Sequence, residues 1–216
     1  EENPVPAIMR LDDFQLLKAI HPSLQLSADM TALLNAVKKV ISWHDLLFLD
    51  ESYMKWAVYF LVLIHHCEKG MAEEICVRFE LTPRLRKCFV HDRINAERCL
   101  YWLERSLPVE NSGLYHRLSA FRTELILFMM AITNQEKVKK AISLYCTNLR
   151  RTSISIKGED LKALGLDAGP MYRRILQAVF EAKLNGRAGT REDELALARR
   201  LVHDHDAPAA TPARSP

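Results

Sequence analysis

The chain has 216 residues, enough to bury a substantial core as one large or two small domains, with 49% of them hydrophobic and 26% charged. That balance, with only seven glycines and nine prolines, excludes a disordered or fibrous chain and points to helices. A net charge of +3 is too small to imply nucleic acid by itself, and five cysteines without a C-x-x-C pair suggest neither a disulfide framework nor a zinc knuckle.

Thiol usage of this kind fits a reducing, cytoplasmic setting. The longest apolar run, 56–64, is about half of the roughly 20 residues that span a bilayer, so no membrane role is expected. Position 1 is Glu rather than Met, and a segment upstream is expected.

Apolar residues recur at spacings of three and four with no sustained alternation, which predicts an all-α fold. A short helix over 11–20 should end at His21-Pro22, and Ser27 should cap a longer one through Leu33, Leu34, Val37, Val40 and Ile41. A third is expected over 52–69, stopped by Gly70 in left-handed geometry, then an amphipathic piece over 71–79. Thr82-Pro83 reads as an N-cap with proline at the first helical position, opening the longest helix, 83–107, which Pro108 ends. Helices over 114–120, 121–132 and 134–149 complete a helical body, residues 1–149.

A smaller helical tail is expected over 150–203. Its segment TSISIK, 152–157, reads as extended or irregular, followed by helices over 159–164 and Pro170–Leu184 and one capped by Thr190. The Ala/Pro-rich end, 204–216, is expected to be disordered. Residues 1–149 carry 18 Lys/Arg and 18 Asp/Glu, whereas 150–200 carry 11 and 7, so the positive excess lies in the tail. Three of the seven glycines, Gly158, Gly165 and Gly169, also fall there, the last before Pro170 and the arginine pair Arg173 and Arg174.

The tail cations are the candidate site. Gly169 as N-cap and Pro170 at N1 leave backbone N–H groups open at a helix start, where the dipole is positive. Arg173 and Arg174 add like charge there, which an RNA phosphate would answer, although Glu159 and Asp160 are near enough in sequence to pair with them instead. Arg150, Arg151, Lys157 and Lys162 complete the expected phosphate-binding set. Two other readings stand beside it. The dipeptides His44-Asp45, His91-Asp92 and His203-Asp204, with His65 and His66, resemble those of metal-dependent phosphohydrolases, whose imidazole and carboxylate ligands suit a divalent metal. A purely structural or dimer-forming helical domain is the third. Asp204-His205-Asp206 has a metal-pair spacing but stands at the rim of the expected disorder, and no phosphate loop, glycine-rich fingerprint or serine elbow is present. No catalytic or metal-ligating residue is assigned.

The run KGEDLKALGLDAGPMYRRILQAVFEAKLNG, followed by TREDEL, resembles the C-terminal signature of bacterial class II tRNA nucleotidyltransferases, the CCA-adding and A-adding enzymes and related poly(A) polymerases. Gly158, Asp160, Leu161, Leu164, Gly165, Gly169, Pro170, Ile175, Leu176, Gly186, Thr190 and Arg191 match the family form in order. The opening NPVPAIMRLDDFQLLKAIHP is similar to the segment that follows the neck in these enzymes. The resemblance implies that catalysis, with Mg2+ and ATP or CTP, belongs to a separate N-terminal head whose Asp-x-Asp and glycine-rich motifs are missing here. It implies that this chain, inactive alone, positions tRNA or another RNA 3′ end.

Overall fold

The structure, a computed structural model, describes the backbone of residues 3–22, 24–167 and 169–206, with side chains as far as His203. Among these residues there are thirteen α-helices and no strand. The chain groups by contacts into two units, Glu1–Pro108 with Arg117–Leu144, and Val109–His116 with Tyr145–Pro216. The second unit thus recruits eight residues from the middle of the sequence.

In unit 1, α1 (Val5–Asp13) and α2 (Leu16–Ile20) replace the single helix predicted over 11–20. The break is Gln15, whose φ of 57° reverses the chain while its N–H donates to Asp12 O at 2.8 Å. Ser27 caps α3 (Ala28–Asp45), its Oγ accepting Met30 N–H at 3.1 Å. Met30, Leu34, Val37, Ile41 and His44 recur at four and three and form the buried seam of that helix. α4 (Lys55–Leu63) is apolar almost all round, as befits a core helix. It stops before His65, so Gly70 does not end it and lies instead in the first turn of α5 (Lys69–Arg78).

The run predicted as one helix over 83–107 is α6 (Pro83–Lys87), a π-helical turn Cys88–Asp92 and α7 (Arg93–Ser106) without interruption. Arg93, 2% exposed, opens α7. Its guanidinium donates to three carbonyls, Phe89 O at 3.1 Å, His65 O at 3.0 Å and Cys67 O at 2.9 Å, and to Glu97 Oε1 at 2.6 Å. Buried arginine is tolerated only with its donors satisfied in this way. After α8 (Asn111–Leu118), α9 (Thr123–Ile132) runs through the centre of unit 1 against α3 and α4. Its start is two residues later than predicted, because buried Glu124 accepts the open N–H of Met54 at 3.0 Å, before α4, and a guanidinium hydrogen bond from Arg122 at 3.2 Å. α10 (Glu136–Thr147) starts two residues later than predicted, after a turn in which Thr133 Oγ1 accepts Gln135 N–H at 3.2 Å.

Unit 2 adds a 3₁₀ turn (Leu149–Arg151), α11 (Gly158–Ala163), α12 (Pro170–Leu184) and α13 (Arg191–Asp206). Ile156, Leu161, Ile175, Val179, Ala198 and Val202 form its core. The backbone of α13 is helical to Asp206, three residues past the predicted boundary; 207–216 lie outside the described residues. Asn185 fastens residues 109–116 to this unit: its Oδ1 accepts Ser112 N–H at 2.9 Å, and its amide donates to Glu110 Oε2 at 3.1 Å.

The irregular segment 152–157 is held by Glu194, whose side chain is wholly buried. One carboxylate oxygen accepts Ser155 N–H at 2.7 Å and Ile156 N–H at 3.1 Å, and the other meets Lys183 Nζ at 2.5 Å. Burial raises the Glu194 pKa, but the Lys183 hydrogen bond and the two backbone donors outweigh it and hold the group below its ordinary value. A depressed folded pKa stabilises fully above the unfolded value of about 4.3 and is lost as pH falls through the folded one. Glu194→Ala is expected to cost about 3–5 kcal/mol in urea unfolding near neutral pH. It should also flatten the acid side of the stability profile, and an unchanged profile would refute this role.

Candidate nucleic-acid interface

The three glycines of 158–169 answer to different demands. Gly165, at φ +90°, follows the end of α11 and closes it: Gly165 N–H donates to Lys162 O at 3.0 Å and Leu166 N–H to Leu161 O at 3.2 Å. Leu166 thereby turns onto the core beside Leu161. Gly158 makes room for the ring of Tyr172, because a Cβ there would meet Cδ2 and Cε2 at 3.2 and 3.3 Å. Tyr172 in turn donates its hydroxyl to Leu166 O at 2.8 Å, bracing the glycine loop from α12. At Gly169 the backbone is extended, φ −175°, and a Cβ would meet nothing nearer than Asp167 O at 3.9 Å. The fold makes no demand for glycine at that position.

The packing of Gly158 on Tyr172 sets the starts of α11 and α12 side by side. Lys157 and Arg173, the chain neighbours of that pair, therefore flank one junction, with Arg174 next along α12; all three are exposed. Gly169 caps α12 with no side-chain acceptor, and Pro170 supplies no N–H at N1. Lys162 is exposed on the last turn of α11, while Arg150, half-buried, and Arg151, exposed, sit on a separate element, the 3₁₀ turn.

The acidic residues near this junction are committed elsewhere. Asp160 accepts Lys157 N–H on one oxygen at 2.7 Å and pairs with Arg191 on the other at 2.5 Å, while Arg191 also donates to Ser155 O at 2.8 Å. Arg173 and Arg174 make no ion pair with a described residue, Glu159 included. Cations in the opening turns of a helix cost a few tenths to about 1 kcal/mol when nothing answers them. Asp160 and Arg191, both in the family signature, are thus structural clamps.

The His-Asp dipeptides do not converge. Asp45 takes the Tyr53 hydroxyl at 2.8 Å and Lys55 at 2.6 Å, His65 meets Glu97 at 3.0 Å, and His91 and His203 are exposed. Among the described residues no three of His, Cys, Asp and Glu form a group that could hold a metal; the side chains of Asp204 and Asp206 lie outside them. All five cysteines are buried, and burial pushes the Cys76 and Cys88 thiols up to about 11, which makes them packing groups rather than nucleophiles. No described helix is long and apolar enough to cross a membrane.

No protein-family model matches the chain. It is 39% identical over 206 residues to the A-adding tRNA nucleotidyltransferase of Geobacter sulfurreducens, covering 94% of this chain and 23% of that protein. The enzyme of the same name from Aquifex aeolicus is 24% identical over 163 residues, 75% of this chain and 19% of the relative. The chain thus spans about a quarter or less of these relatives. Among solved structures, the Thermotoga maritima CCA-adding enzyme complexed with tRNA superposes with a TM-score of 0.69 at 21% identity, over 95% of this chain and 48% of that one. A CCA-adding enzyme with ATP gives 0.66 at 21% identity, over 98% and 49%. The resemblance to bacterial class II tRNA nucleotidyltransferases read from the sequence holds, and the solved neighbours share its fold.

Gly165→Ala should lower stability by about 1–2 kcal/mol, since a Cβ strains the left-handed region. Gly169→Ala, by contrast, should stay within about 0.5 kcal/mol of the parent. Thermal or urea unfolding of the two variants checks both, and equal effects would contradict the distinction.

Proposed function

We infer that this chain, similar along nearly all its length to A-adding tRNA nucleotidyltransferases, is the RNA-holding part of such an enzyme. It grips backbone phosphates of tRNA, or of another RNA 3′ region, without reading sequence, so that the terminal hydroxyl reaches a catalytic head carried elsewhere on the longer protein. The reaction served is template-free addition of nucleotides to an RNA 3′ end, and this chain contributes position rather than chemistry. The observation that carries the reading is the pair Arg173 and Arg174, exposed at the opening of α12 beside Lys157 and without an ion pair among the described residues. A phosphate beside either guanidinium would gain a charge-assisted pair, with the start of the helix adding a favourable dipole.

One neighbour in fold is named as a complex with tRNA, and the same class of partner is proposed here. Lys162, Arg150 and Arg151 extend the proposed contact along the RNA backbone. Magnesium and ATP or CTP belong to the head in this reading. The described residues offer no metal-holding group, so no step through the metal is assigned to them. Buried free thiols fit work in the cytoplasm.

Arg173→Glu combined with Arg174→Glu is expected to weaken tRNA binding at low salt and to reduce the slope of log K against log salt by about 2, one for each lost phosphate contact. Filter binding of tRNA across a salt series measures both. Unchanged affinity at low salt would overturn the phosphate grip.

A further inference from the structure

We propose that unit 1 carries a second RNA contact, a groove along α3 that takes one unpaired nucleotide, its base against the Trp43 indole and its phosphate against Lys38 and Lys39. This rests on the reading of the chain as an RNA holder and places a contact outside the tail. The groove, about 660 Å3, is lined by Asn35, Lys38, Lys39, Ser42, Trp43 and Leu46. Past Lys39 and Trp43 a second hollow of about 240 Å3 reaches Met130, Ala131 and Lys139. The larger volume suits a nucleotide-sized group, given that small-molecule sites occupy roughly 300–1,000 Å3, and the smaller hollow extends it.

The helical period makes this face. Met30, Leu34, Val37, Ile41 and His44 are turned into the core, which leaves Asn35, Lys38, Ser42 and Leu46 exposed, with Lys39 and Trp43 one turn apart. Core burial explains the first set and has no use for an indole among lysines on the second. The lining holds three amines, an amide and a hydroxyl and no carboxylate. Lys38 and Lys39 make no ion pair with a described residue, while Lys139 meets Glu136 at 3.1 Å. His44 meets the Trp43 ring edge-on, centroids 6.3 Å apart, and no described aromatic ring lies flat on the indole. A half-exposed π-face among unanswered cations is the chemistry that holds single-stranded nucleic acid, by stacking and phosphate pairing together. An acidic peptide would satisfy the lysines and leave the indole without a partner.

Two residues beyond Leu46 the chain holds Phe48 at φ 47° with its side chain 85% exposed. A bulky residue in that backbone region is strained, and here no burial offsets the strain. It presents a second aromatic surface next in sequence to the groove wall.

The test follows Trp43 fluorescence in the 216-residue chain carrying Trp56→Phe and Trp102→Phe, which silence the other two indoles, titrated with oligo(A) of about ten nucleotides. Saturable quenching is expected. Lys38→Glu with Lys39→Glu should weaken it about ten-fold. With a labelled oligo(A), Trp43→Ala should lose about ten-fold in affinity and Trp43→Phe should retain most of it, since a ring remains to stack. The lysines are exposed, so the double variant should melt as the parent does. Undiminished affinity of both Trp43→Ala and the lysine variant overturns the proposal, as does equal quenching by ATP alone or by polyglutamate. Arg173→Glu with Arg174→Glu separates the two readings: loss of tRNA affinity with oligo(A) quenching intact supports both, and intact tRNA affinity with quenching still sensitive to the lysines removes only the tail grip.

Discussion

Glu194, wholly buried in α13, accepts two successive backbone N–H groups, of Ser155 and Ile156, and the ammonium of Lys183. The segment 152–157 has no strand to pair with, so the buried N–H of Ile156 would otherwise lack a partner. By supplying acceptors the carboxylate turns an irregular stretch into a fixed approach to α11. The placement of Gly158 against Tyr172, and with it the junction of Lys157 and Arg173, follows from that approach. Arg191 strengthens the same arrangement from the solvent side, joining Asp160 to Ser155 O.

Unit 1 uses the opposite charge for a similar purpose. After α4 ends, the chain turns through His65 and Cys67, whose carbonyls face inward and accept from Arg93. Glu97, one turn further along α7, shares the guanidinium and takes His65 on the same oxygen. In both units a long charged side chain from a helix finishes the hydrogen bonding of a non-helical segment, and in both the charge is compensated at once. Arg173 and Arg174 differ in making no ion pair among the described residues, which is why they read as binding groups.

Local signals in the sequence found most of the helices. The Ser27 cap, the Thr82-Pro83 start and the Gly169-Pro170 start each depend on one or two residues acting on their own backbone, and each lies where the spacing put it. Gly70 misled because a glycine after an apolar run signals a stop, whereas the stop came earlier, where Arg93 gathers the carbonyls of the turn. The buried roles of Glu194 and Arg93 were not legible, since their partners stand 38 and 39 positions away in one case and 26 and 28 in the other. Within the tail set, sequence reasoning found the exposed cations but could not tell that Asp160 was already engaged. The Trp43 groove had a weak signal, Lys39 and Trp43 at a spacing of four, which acquires meaning only once the other face of α3 is seen to be buried.

The π-helical turn at Cys88–Asp92 also fixes the phase of everything after it. Such a turn holds one residue more than α geometry would, and a residue corresponds to about 100° of rotation. Wound as ordinary α-helix, the same five residues would swing Cys99, Leu100 and Leu103 by about that angle, off the core they now fill. Arg93 would leave its three carbonyls in the same movement. The turn therefore absorbs one residue: side chains on either side of it keep the phase that an uninterrupted α-helix one residue shorter would give them.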